Sequence, residues 1–419
     1  MDKEAINVAH PTKTLTGTVA LTGSKSESNR ALIIQALSGG SVEINNLSSA
    51  ADTVTLQQAL AAAAVAGKKS GNDETEIDVG PAGTAMRFLT AYLNRVNGNF
   101  LLTVSARMKQ RPIGILVDAL NTLGATIRYA GETGFPPLSI TGGSAQQTAE
   151  VAVQGDVSSQ YLSALLLIAS AMPNGLKLRI AGELTSRPYL TMTLQMLAEV
   201  GIQHHWEDNV ISIAPQQAKS ATLTIEPDWS AASYWYAMVA LAGEGNLFLP
   251  NLKSNSLQGD SIIVEIMSHF GVASSFENGG LRIQKTSSHS SKSLFDFKEC
   301  PDLAQTVIVC AAALQHDLSF TGLHTLRIKE TDRIAALQRE LGKFGVELIE
   351  EGTVYHLKTG GLNRNANPVI DTYEDHRMAM AFAPLGLVFN QMRINEPEVV
   401  EKSYPDFWKH LKQQGFVLS

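Results

Sequence analysis

Several short polar strings place a lysine or an arginine where an apolar helical run begins. The first, LTGSKSESNR at 21–30, contains Lys25, Ser26 and Arg30 at the change from a strand to a helix. Free N–H groups and the positive end of a helix at such a point favour an anion. The spacing is not that of a Walker loop, and a single loop lysine is usually solvated. The string therefore indicates a phosphate or carboxylate site only if other cations join it.

Other cations occur in similar strings. They are Arg111 in RMKQRPIG, Arg187 in TSRPYL, Arg333 in RIKETDR, Arg377 in YEDHRMAM and Lys402 in EKSYPDF. Taken singly, each would be interpreted as a surface charge. Taken together, they suit a ligand that carries both a phosphate and a carboxylate, because a guanidinium binds either group in a bidentate manner.

The elements that position these strings recur with a nearly fixed period, which is typical of an internally repeated architecture. Each repeat combines a helix that is apolar nearly all round with β-like stretches and a second, amphipathic helix. Three repeats in each half predict two mixed α and β domains, with a crossover near 225–228 and an N-terminal strand that returns to the second domain. The anchors are separated by roughly 57, 75, 72, 74 and 73 residues, at Ser24, Pro81, Asp156, Asp228, Asp302 and Asp375.

The composition limits the ligands and the compartment. A net charge of −7 and a pI near 5.8 argue against nucleic acid and anionic membranes as partners. Cys300 and Cys310 are too few for a disulfide framework and indicate a reducing compartment. The apolar runs are shorter than a membrane span, and the histidines lack a metal-ligand spacing. We therefore expect a cytoplasmic protein without a metal or a cofactor.

Nine strings, in order and over nearly the whole chain, resemble the family of 5-enolpyruvylshikimate-3-phosphate (EPSP) synthases. They are GSKSESNR, AGTAMR, RMKQRPIG, SSQYLSALL, SRPY, PDLAQT, IKETDR, DHRMAM and EKSYPDF. The resemblance implies an α/β enolpyruvyl transferase fold of two domains, each built from three βαβαββ units, with the active site in the interdomain cleft. The implied domains are 23–226, which binds substrate, and 1–22 together with 227–419.

The resemblance also implies the reaction. The enolpyruvyl group of phosphoenolpyruvate would pass to the 5-hydroxyl of shikimate 3-phosphate, with release of phosphate, in the biosynthesis of aromatic amino acids. The protein would be a monomer. The residues implied to act on protons are Lys25, Asp302 and Glu330. Those implied to bind shikimate 3-phosphate are Lys25, Ser26, Arg30, Ser158, Ser159, Gln160, Ser186, Tyr189, Asp302 and Lys329. Those implied to bind phosphoenolpyruvate are Lys25, Gly83, Arg111, Gln160, Arg333, Arg377 and Lys402.

Structural interpretations compete with these roles. Ser158 and Ser159 suit the capping of a helix, and Asp302 suits an N-cap after a proline. Tyr189 suits a packed loop aromatic, and Glu330 suits an i,i+3 ion pair with the arginine that follows it. Asp375 and His376 are expected to cap a helix and to orient Arg377 rather than to take part in the chemistry.

The chain departs from the family pattern at three positions. Thr325 stands where asparagine is frequent near the sugar phosphate, Phe88 where proline is frequent, and Pro81 where asparagine is usual. In the family, glyphosate occupies the phosphoenolpyruvate site. The departures near Gly83 therefore bear on sensitivity to this inhibitor, although none of them removes a charge.

Two other functions remain open at this level. An enolpyruvyl transferase for a nucleotide sugar shares the fold, but its family opens with Gly-Ala-Lys-Asn and uses a loop cysteine. A non-catalytic anion-binding repeat protein would need only the basic helix starts, and the carboxylates Asp302 and Glu330 speak against it.

Overall fold

A computed structural model describes residues 4–68, 73–287 and 292–419 of the chain. The chain divides into two compact units. One is Gly23–Ile225, called the first unit below. The other, the second unit, combines the residues up to Thr22 with Glu226–Ser419.

The first unit contains two complete βαβαββ repeats, residues 74–141 and 150–213, and a part in which the strand Val42–Asn45 pairs in parallel with the strand Ala221–Thr224. In each complete repeat the first two strands are parallel and the last two form an antiparallel hairpin. In chain order, after β1 (Ala5–Ala9) and β2 (Thr14–Thr18), the elements are α1 (Lys25–Leu37), β3 (Val42–Asn45), α2 (Ala51–Ala66), β4 (Glu74–Asp78), α3 (Gly83–Leu93), β5 (Asn99–Thr103), α4 (Gly114–Thr122), β6 (Thr126–Tyr129), β7 (Leu138–Thr141), β8 (Glu150–Gln154), α5 (Ser159–Ala169), β9 (Leu176–Ala181), α6 (Arg187–Glu199), β10 (His205–Glu207), β11 (Val210–Ile213) and β12 (Ala221–Thr224).

The second unit is completed by the N-terminal strands. β2 pairs in parallel with the strand Glu244–Pro250, and β1 pairs antiparallel with the strands Arg393–Asn395 and Val417–Leu418. Residues 294–358 again have the order βαβαββ. Its elements are α7 (Trp229–Leu241), β13 (Glu244–Pro250), α8 (Ile263–Ser268), β14 (Val272–Glu277), β15 (Gly280–Lys285), β16 (Leu294–Asp296), α9 (Ala304–Leu314), β17 (Ser319–Thr321), α10 (Arg333–Gly342), β18 (Glu347–Glu351), β19 (Val354–Lys358), β20 (Val369–Ile370), α11 (His376–Phe382), β21 (Arg393–Asn395), α12 (Phe407–Gln413) and β22 (Val417–Leu418).

The mixed α/β repeats predicted from the sequence are confirmed. Each of the six anchors lies one to three residues before a helix, at the starts of α1, α3, α5, α7, α9 and α11. Ser24, Asp228 and Asp375 cap their helices, since each side chain accepts a hydrogen bond from a backbone N–H of the first turn. The helices α5, α7 and α9 are buried along nearly their whole length, as their apolar sequences predict.

The described residues also bear on membranes, metals and thiols. Across 4–68, 73–287 and 292–419, no helix combines the length and the apolar character needed to cross a bilayer. In the same ranges, no group of three or more His, Cys, Asp or Glu side chains is arranged to hold a metal ion. Cys300 and Cys310 are both free and buried. Burial raises the pKa of the Cys300 thiol well above its usual value and that of Cys310 to about 12, so both remain protonated at neutral pH.

Candidate active site

Lys25 is the first residue of α1, and its charge is held in place by a carboxylate. Its Nζ lies 3.2 Å from Oδ2 of Asp52, which belongs to the first turn of α2. The side chain of Lys25 is 15% exposed and that of Asp52 only 4%. The interpretation as an ordinary solvated loop lysine is therefore wrong. Asp52, which the sequence analysis did not single out, orients the ammonium group at the amino end of α1.

Arg30 joins four helices of the first unit. Its guanidinium donates to Oγ1 of Thr193 at 2.7 Å and to Oγ of Ser163 at 3.0 Å. It also lies over the rings of Phe88 and Tyr189, with its Cζ 5.5 and 5.7 Å from the ring centroids. Burial lowers the pKa of Arg30 to about 10, so the group stays charged at neutral pH. Phe88, in the place of the family's proline, thus forms part of this contact.

Gly83, the first residue of α3, lies against two guanidinium groups. A Cβ at this position would come within 2.7 Å of Nη1 of Arg87 and 2.8 Å of Nη1 of Arg111. Arg87 also donates to the Gly83 carbonyl at 2.9 Å, and both arginines are mostly buried. Arg87 was missed as a candidate site residue, although it ends the AGTAMR string one helical turn after Gly83.

The start of α5 is tied to the start of α3. Ser158 caps α5 by accepting a hydrogen bond from the Gln160 N–H, which confirms the capping interpretation for this serine. Ser159 is the first residue of α5 and does not act as its N-cap. Gln160 Nε2 donates to Oγ1 of Thr84 at 3.1 Å. This contact puts the polar residues at the start of α5 beside Gly83.

The predicted residues of the first unit therefore gather at the amino ends of α1, α3, α5 and α6. Ser186 precedes α6 with φ of 55°, in the left-handed region, and its carbonyl accepts the Tyr189 N–H. The Tyr189 carbonyl in turn accepts from Arg30, whose Nη1 also donates to the Ser26 carbonyl at 2.9 Å. Tyr189 is therefore packed, as its structural interpretation holds, while its ring forms one wall around the guanidinium of Arg30. Four positive helix ends and several cations favour an anionic ligand here.

Charged side chains of the second unit form what we call the charge cluster, which comprises Asp302, Glu330, Arg333, Asp375 and Arg377. Arg333 is 1% exposed and contacts three carboxylates. Its Nε lies 2.7 Å from Asp375, its Nη2 2.9 Å from Glu330 and its Nη1 3.2 Å from Asp302. Arg377 Nη2 lies 3.0 Å from the other oxygen of Asp302. The starts of α9, α10 and α11 therefore meet at this cluster.

The charge cluster decides between the competing interpretations of its carboxylates. The N-cap interpretation of Asp302 is wrong, because this residue lies within a short 3-10 helix, Pro301–Leu303, and binds arginines. The i,i+3 pair of Glu330 with Arg333 is confirmed. Asp375 caps α11 through the Arg377 N–H and binds Arg333 as well, as a residue that orients rather than reacts would.

Two predicted lysines flank the charge cluster. Lys329 Nζ lies 3.8 Å from Oδ1 of Asp302. Lys402 ends a 3-10 helix, Pro397–Lys402, that packs against α11. Nearby, the hydroxyl of Thr325 is buried and has no hydrogen-bond partner among the described residues. This position, where the family often has asparagine, thus offers an unused donor and acceptor.

Two carboxyl groups of the second unit, those of Asp302 and Asp260, have pKa values that are shifted in opposite directions. Burial alone would raise the pKa of Asp302, but the charges of Arg377, Lys329 and Arg333 outweigh it and hold that pKa below its usual value. Asp260, hydrogen-bonded to Ser230, behaves in the opposite way. Burial, with the negative charge of Asp302 adding to it, raises the pKa of Asp260 to about 7. One carboxyl is therefore firmly ionised while its neighbour retains a proton near neutrality.

The raised pKa of Asp260 predicts a pH dependence of stability. Because the folded protein holds this proton more tightly than the unfolded chain, Asp260 stabilises the fold below about pH 4, and this contribution is lost as pH rises toward 7. Asp260→Asn removes the titration. We expect its free energy of unfolding to gain about 2 kcal/mol relative to wild type between pH 5 and pH 8 in urea titrations.

Asp317→Asn is the matched control. The Thr359 hydroxyl and N–H hold the pKa of Asp317 below its usual value, so this carboxyl does not titrate between pH 5 and pH 8. Its stability difference from wild type should stay constant over that range. Parallel pH profiles for wild type and Asp260→Asn would contradict the assignment of a raised pKa to Asp260.

Solved structures resemble the whole chain. EPSP synthase from Acinetobacter baumannii superposes with a TM-score of 0.77 at 21% identity, covering 99% of this chain and 100% of that one. The enolpyruvyl transferase NikO from Streptomyces tendae gives a TM-score of 0.71 at 15% identity, covering 100% and 99%. The fold is thus that of the enolpyruvyl transferases.

Sequence comparisons identify the family. Residues 9–411 match the EPSP synthase (3-phosphoshikimate 1-carboxyvinyltransferase) family. A 3-phosphoshikimate 1-carboxyvinyltransferase of Bacteroides fragilis strain YCH46 is 46% identical over 401 residues, which are 95% of each chain. One from Cupriavidus taiwanensis is 36% identical over 422 residues, covering 95% of this chain and 96% of that one. The chain belongs to the EPSP synthase family and is a transferase of the shikimate pathway.

Family membership and the two cysteines bear on the alternative functions left open by the sequence. The chain is an enzyme, so the interpretation as a non-catalytic repeat protein is set aside. The nucleotide-sugar alternative is also disfavoured by the cysteines, because both thiols are buried with raised pKa values and neither matches a reactive loop cysteine.

Proposed function

We propose that the enzyme transfers the enolpyruvyl group of phosphoenolpyruvate to the 5-hydroxyl of shikimate 3-phosphate, and that both groups of polar residues described above serve this reaction. The observation that carries this proposal is the pair of anion-binding groups, one at the helix starts of the first unit and one at the charge cluster. The reaction must bind two anionic substrates and transfer protons. The first unit provides cations at its helix starts, and the charge cluster provides both cations and carboxylates that could act as acids or bases.

Shikimate 3-phosphate is assigned mainly to the first unit. The hydroxyls of Ser158, Ser159 and Ser186 and the amide of Gln160 lie at helix starts, where they can bind phosphate or sugar hydroxyl oxygens together with backbone N–H groups. Lys25 adds a charge oriented by Asp52. Arg30 is engaged by hydroxyls and aromatic rings, so its contribution is a fixed positive charge next to Ser26 rather than a mobile side chain.

Phosphoenolpyruvate is assigned cations from both units. Arg111 beside Gly83 belongs to the first unit, and Arg333, Arg377 and Lys402 belong to the second. Three guanidinium groups suit a ligand with a carboxylate at one end and a phosphate at the other.

Proton transfer is assigned to three residues. Asp302 takes the proton of the attacking 5-hydroxyl, while Glu330 and Lys25 serve proton transfer at the methylene carbon of the donor. In the free enzyme the pKa of Asp302 is held low by Arg377, Lys329 and Arg333, which makes its carboxylate a weak base. Donor anions on Arg333 and Arg377 offset those charges, so binding of phosphoenolpyruvate raises the basicity of Asp302 when it is needed.

A phosphate-release assay tests the proposal. Purified enzyme should release inorganic phosphate only when shikimate 3-phosphate and phosphoenolpyruvate are both present, and the enolpyruvyl product should be visible by mass spectrometry. Each substrate alone is the control. Phosphate release with a nucleotide sugar as acceptor, and none with shikimate 3-phosphate, would overturn the assignment.

The oligomeric state and the compartment complete the proposal. We propose a monomer, as the family resemblance implies, and a cytoplasmic enzyme, with which the two free, buried cysteines are compatible. Size-exclusion chromatography with light scattering tests the monomer, for which the expected mass is 45.0 kDa.

Gly83→Ala should weaken inhibition by glyphosate strongly and binding of phosphoenolpyruvate less. The added methyl would lie under 3 Å from the guanidinium groups of Arg87 and Arg111, so these groups must shift, and we propose that they shift into the space that the donor occupies. Such overlap costs on the order of 1–3 kcal/mol, and we expect the larger of the two ligands to bear more of it. Inhibition curves at matched phosphoenolpyruvate saturation measure the effect.

Gly342→Ala is a matched control for this substitution. Gly342 also lies in a helix, and a Cβ there would meet nothing within 4 Å. Its inhibition curve should coincide with that of wild type. If the curve for Gly83→Ala coincided with them as well, Gly83 would not line the donor pocket.

A further inference from the structure

Glu340 is a fully buried carboxylate that no proposed role uses. It lies on α10, two turns after Arg333, and is 0% exposed. Its oxygens accept hydrogen bonds from the Tyr373 hydroxyl at 2.6 Å, the Asp371 N–H at 3.0 Å and Lys343 Nζ at 2.6 Å. A buried carboxylate is costly unless it is fully hydrogen-bonded, and these three donors satisfy that need.

The segment that Glu340 binds has a constrained backbone. Tyr373 and Glu374 are consecutive non-glycine residues with φ of 55° and 57°. Side chains other than glycine seldom adopt this left-handed conformation, and two in succession persist only where surrounding contacts hold them. The contacts here include those of Glu340 with Asp371 and Tyr373, and that of Lys343 Nζ with the Val369 carbonyl at 2.7 Å.

The constrained segment leads directly into the charge cluster. Asp375 follows Glu374, and its carboxylate binds the Arg333 guanidinium at 2.7 Å and the Arg377 N–H at 2.9 Å. The helix α10 thus contacts the segment 371–375 at two points. Glu340, near the end of the helix, binds Asp371 and Tyr373, and Arg333, at its start, binds Asp375. Any relaxation of Tyr373 and Glu374 would move Asp375, and with it the directions of both arginines.

We propose that Glu340 is a positioning residue for the phosphoenolpyruvate site, acting through Tyr373 on Asp375 and thereby on the guanidinium groups of Arg333 and Arg377. This inference rests on the proposed function, in which those two arginines bind the donor. Shikimate 3-phosphate, assigned mainly to the first unit, should be much less affected. The expected signature is therefore an effect on the donor and on turnover that spares the acceptor.

Tyr373→Phe removes one hydrogen bond to Glu340 and keeps the packed ring. We expect it to raise KM for phosphoenolpyruvate and to lower kcat, with a combined loss of about five- to thirtyfold in kcat/KM for this substrate. KM for shikimate 3-phosphate should stay within about twofold of wild type. Glu340→Gln, which keeps the shape but not the charge, should act in the same direction and more strongly.

Tyr355→Phe is the matched control. The Tyr355 hydroxyl donates to Oε1 of Glu350 at 2.8 Å, in the hairpin of β18 and β19, so the same kind of hydrogen bond is lost elsewhere in the same unit. This variant should keep both KM values and kcat. Steady-state kinetics for both substrates, together with thermal unfolding of each variant, separates positioning from stability.

The outcomes distinguish the two proposals. A wild-type enzyme that releases no phosphate from the substrate pair would contradict the proposed function itself. If wild type is active while folded Tyr373→Phe keeps wild-type kcat and KM for phosphoenolpyruvate, the positioning role of Glu340 is wrong, even if its melting temperature falls. Equal kinetic losses in Tyr355→Phe would also overturn it. If Glu340→Gln fails to fold, the kinetics of Tyr373→Phe alone decide whether Glu340 is a positioning residue.

Discussion

Lys25→Met should lower kcat by about 10³-fold or more while the protein remains folded. The ammonium group is a cation at the amino end of α1, directed by Asp52 and only 15% exposed. In the proposed reaction it stabilises developing charge and serves proton transfer to the donor carbon. Methionine has a side chain of similar length but carries no charge and can neither donate nor accept a proton. Burst and steady-state measurements of phosphate release give kcat for the comparison.

The neighbouring carboxylate requires its own control. Without Lys25, Asp52 would lose an ion-pair partner although its side chain is only 4% exposed, and the loss of one partner of a buried ion pair destabilises a protein. The double variant Lys25→Met, Asp52→Asn removes both charges. It should recover stability relative to Lys25→Met without recovering turnover. Turnover near the wild-type value in either variant would make Lys25 a structural residue only.

Asp302→Asn should reduce kcat by roughly 10²-fold or more, with a smaller effect on KM for shikimate 3-phosphate. The carboxylate contacts Arg333, Arg377 and Lys329, and the asparagine amide preserves its size but cannot accept a proton at neutral pH. Arg333 retains two other carboxylates, so we expect the fold to persist. The pH profile of kcat should also lose its acidic limb if this group is the base.

Asp332→Asn is the comparison variant, since Asp332 lies close to the charge cluster in sequence but caps α10 and pairs with Arg327. It should lower stability modestly and leave kcat unchanged. If Asp302→Asn behaved in the same way, with a lower melting temperature and normal turnover, the proposed role of Asp302 as a base would be wrong.

The repeat architecture and the helix starts followed from local chemistry. A polar cap, a free set of N–H groups and an apolar run are neighbours in sequence, so the six anchors predicted helix starts that the structure contains. The same holds for the i,i+3 pair of Glu330 with Arg333 and for the cap at Ser158. For these features the interacting groups lie within one turn of each other.

Other features depended on contacts between distant residues. The residues around Asp302 favoured a helix cap, and only its contacts with Arg333 and Arg377, 31 and 75 residues away, showed it to be the partner of two arginines. The raised pKa of Asp260 likewise depends on its burial and on the charge of Asp302, which belongs to a later part of the chain.

The sequence by itself thus determined the family, the mixed α/β repeats and the identities of most charged residues at the helix starts. The tertiary structure alone decided which charged side chains form ion pairs. It also decided that Asp302 is ionised while Asp260 retains a proton near neutral pH, and that Glu340 binds the segment before Asp375. The physical reason is that helix capping and apolar periodicity act over a few residues. Ion pairing and desolvation instead depend on the spatial arrangement of side chains that lie far apart in the chain.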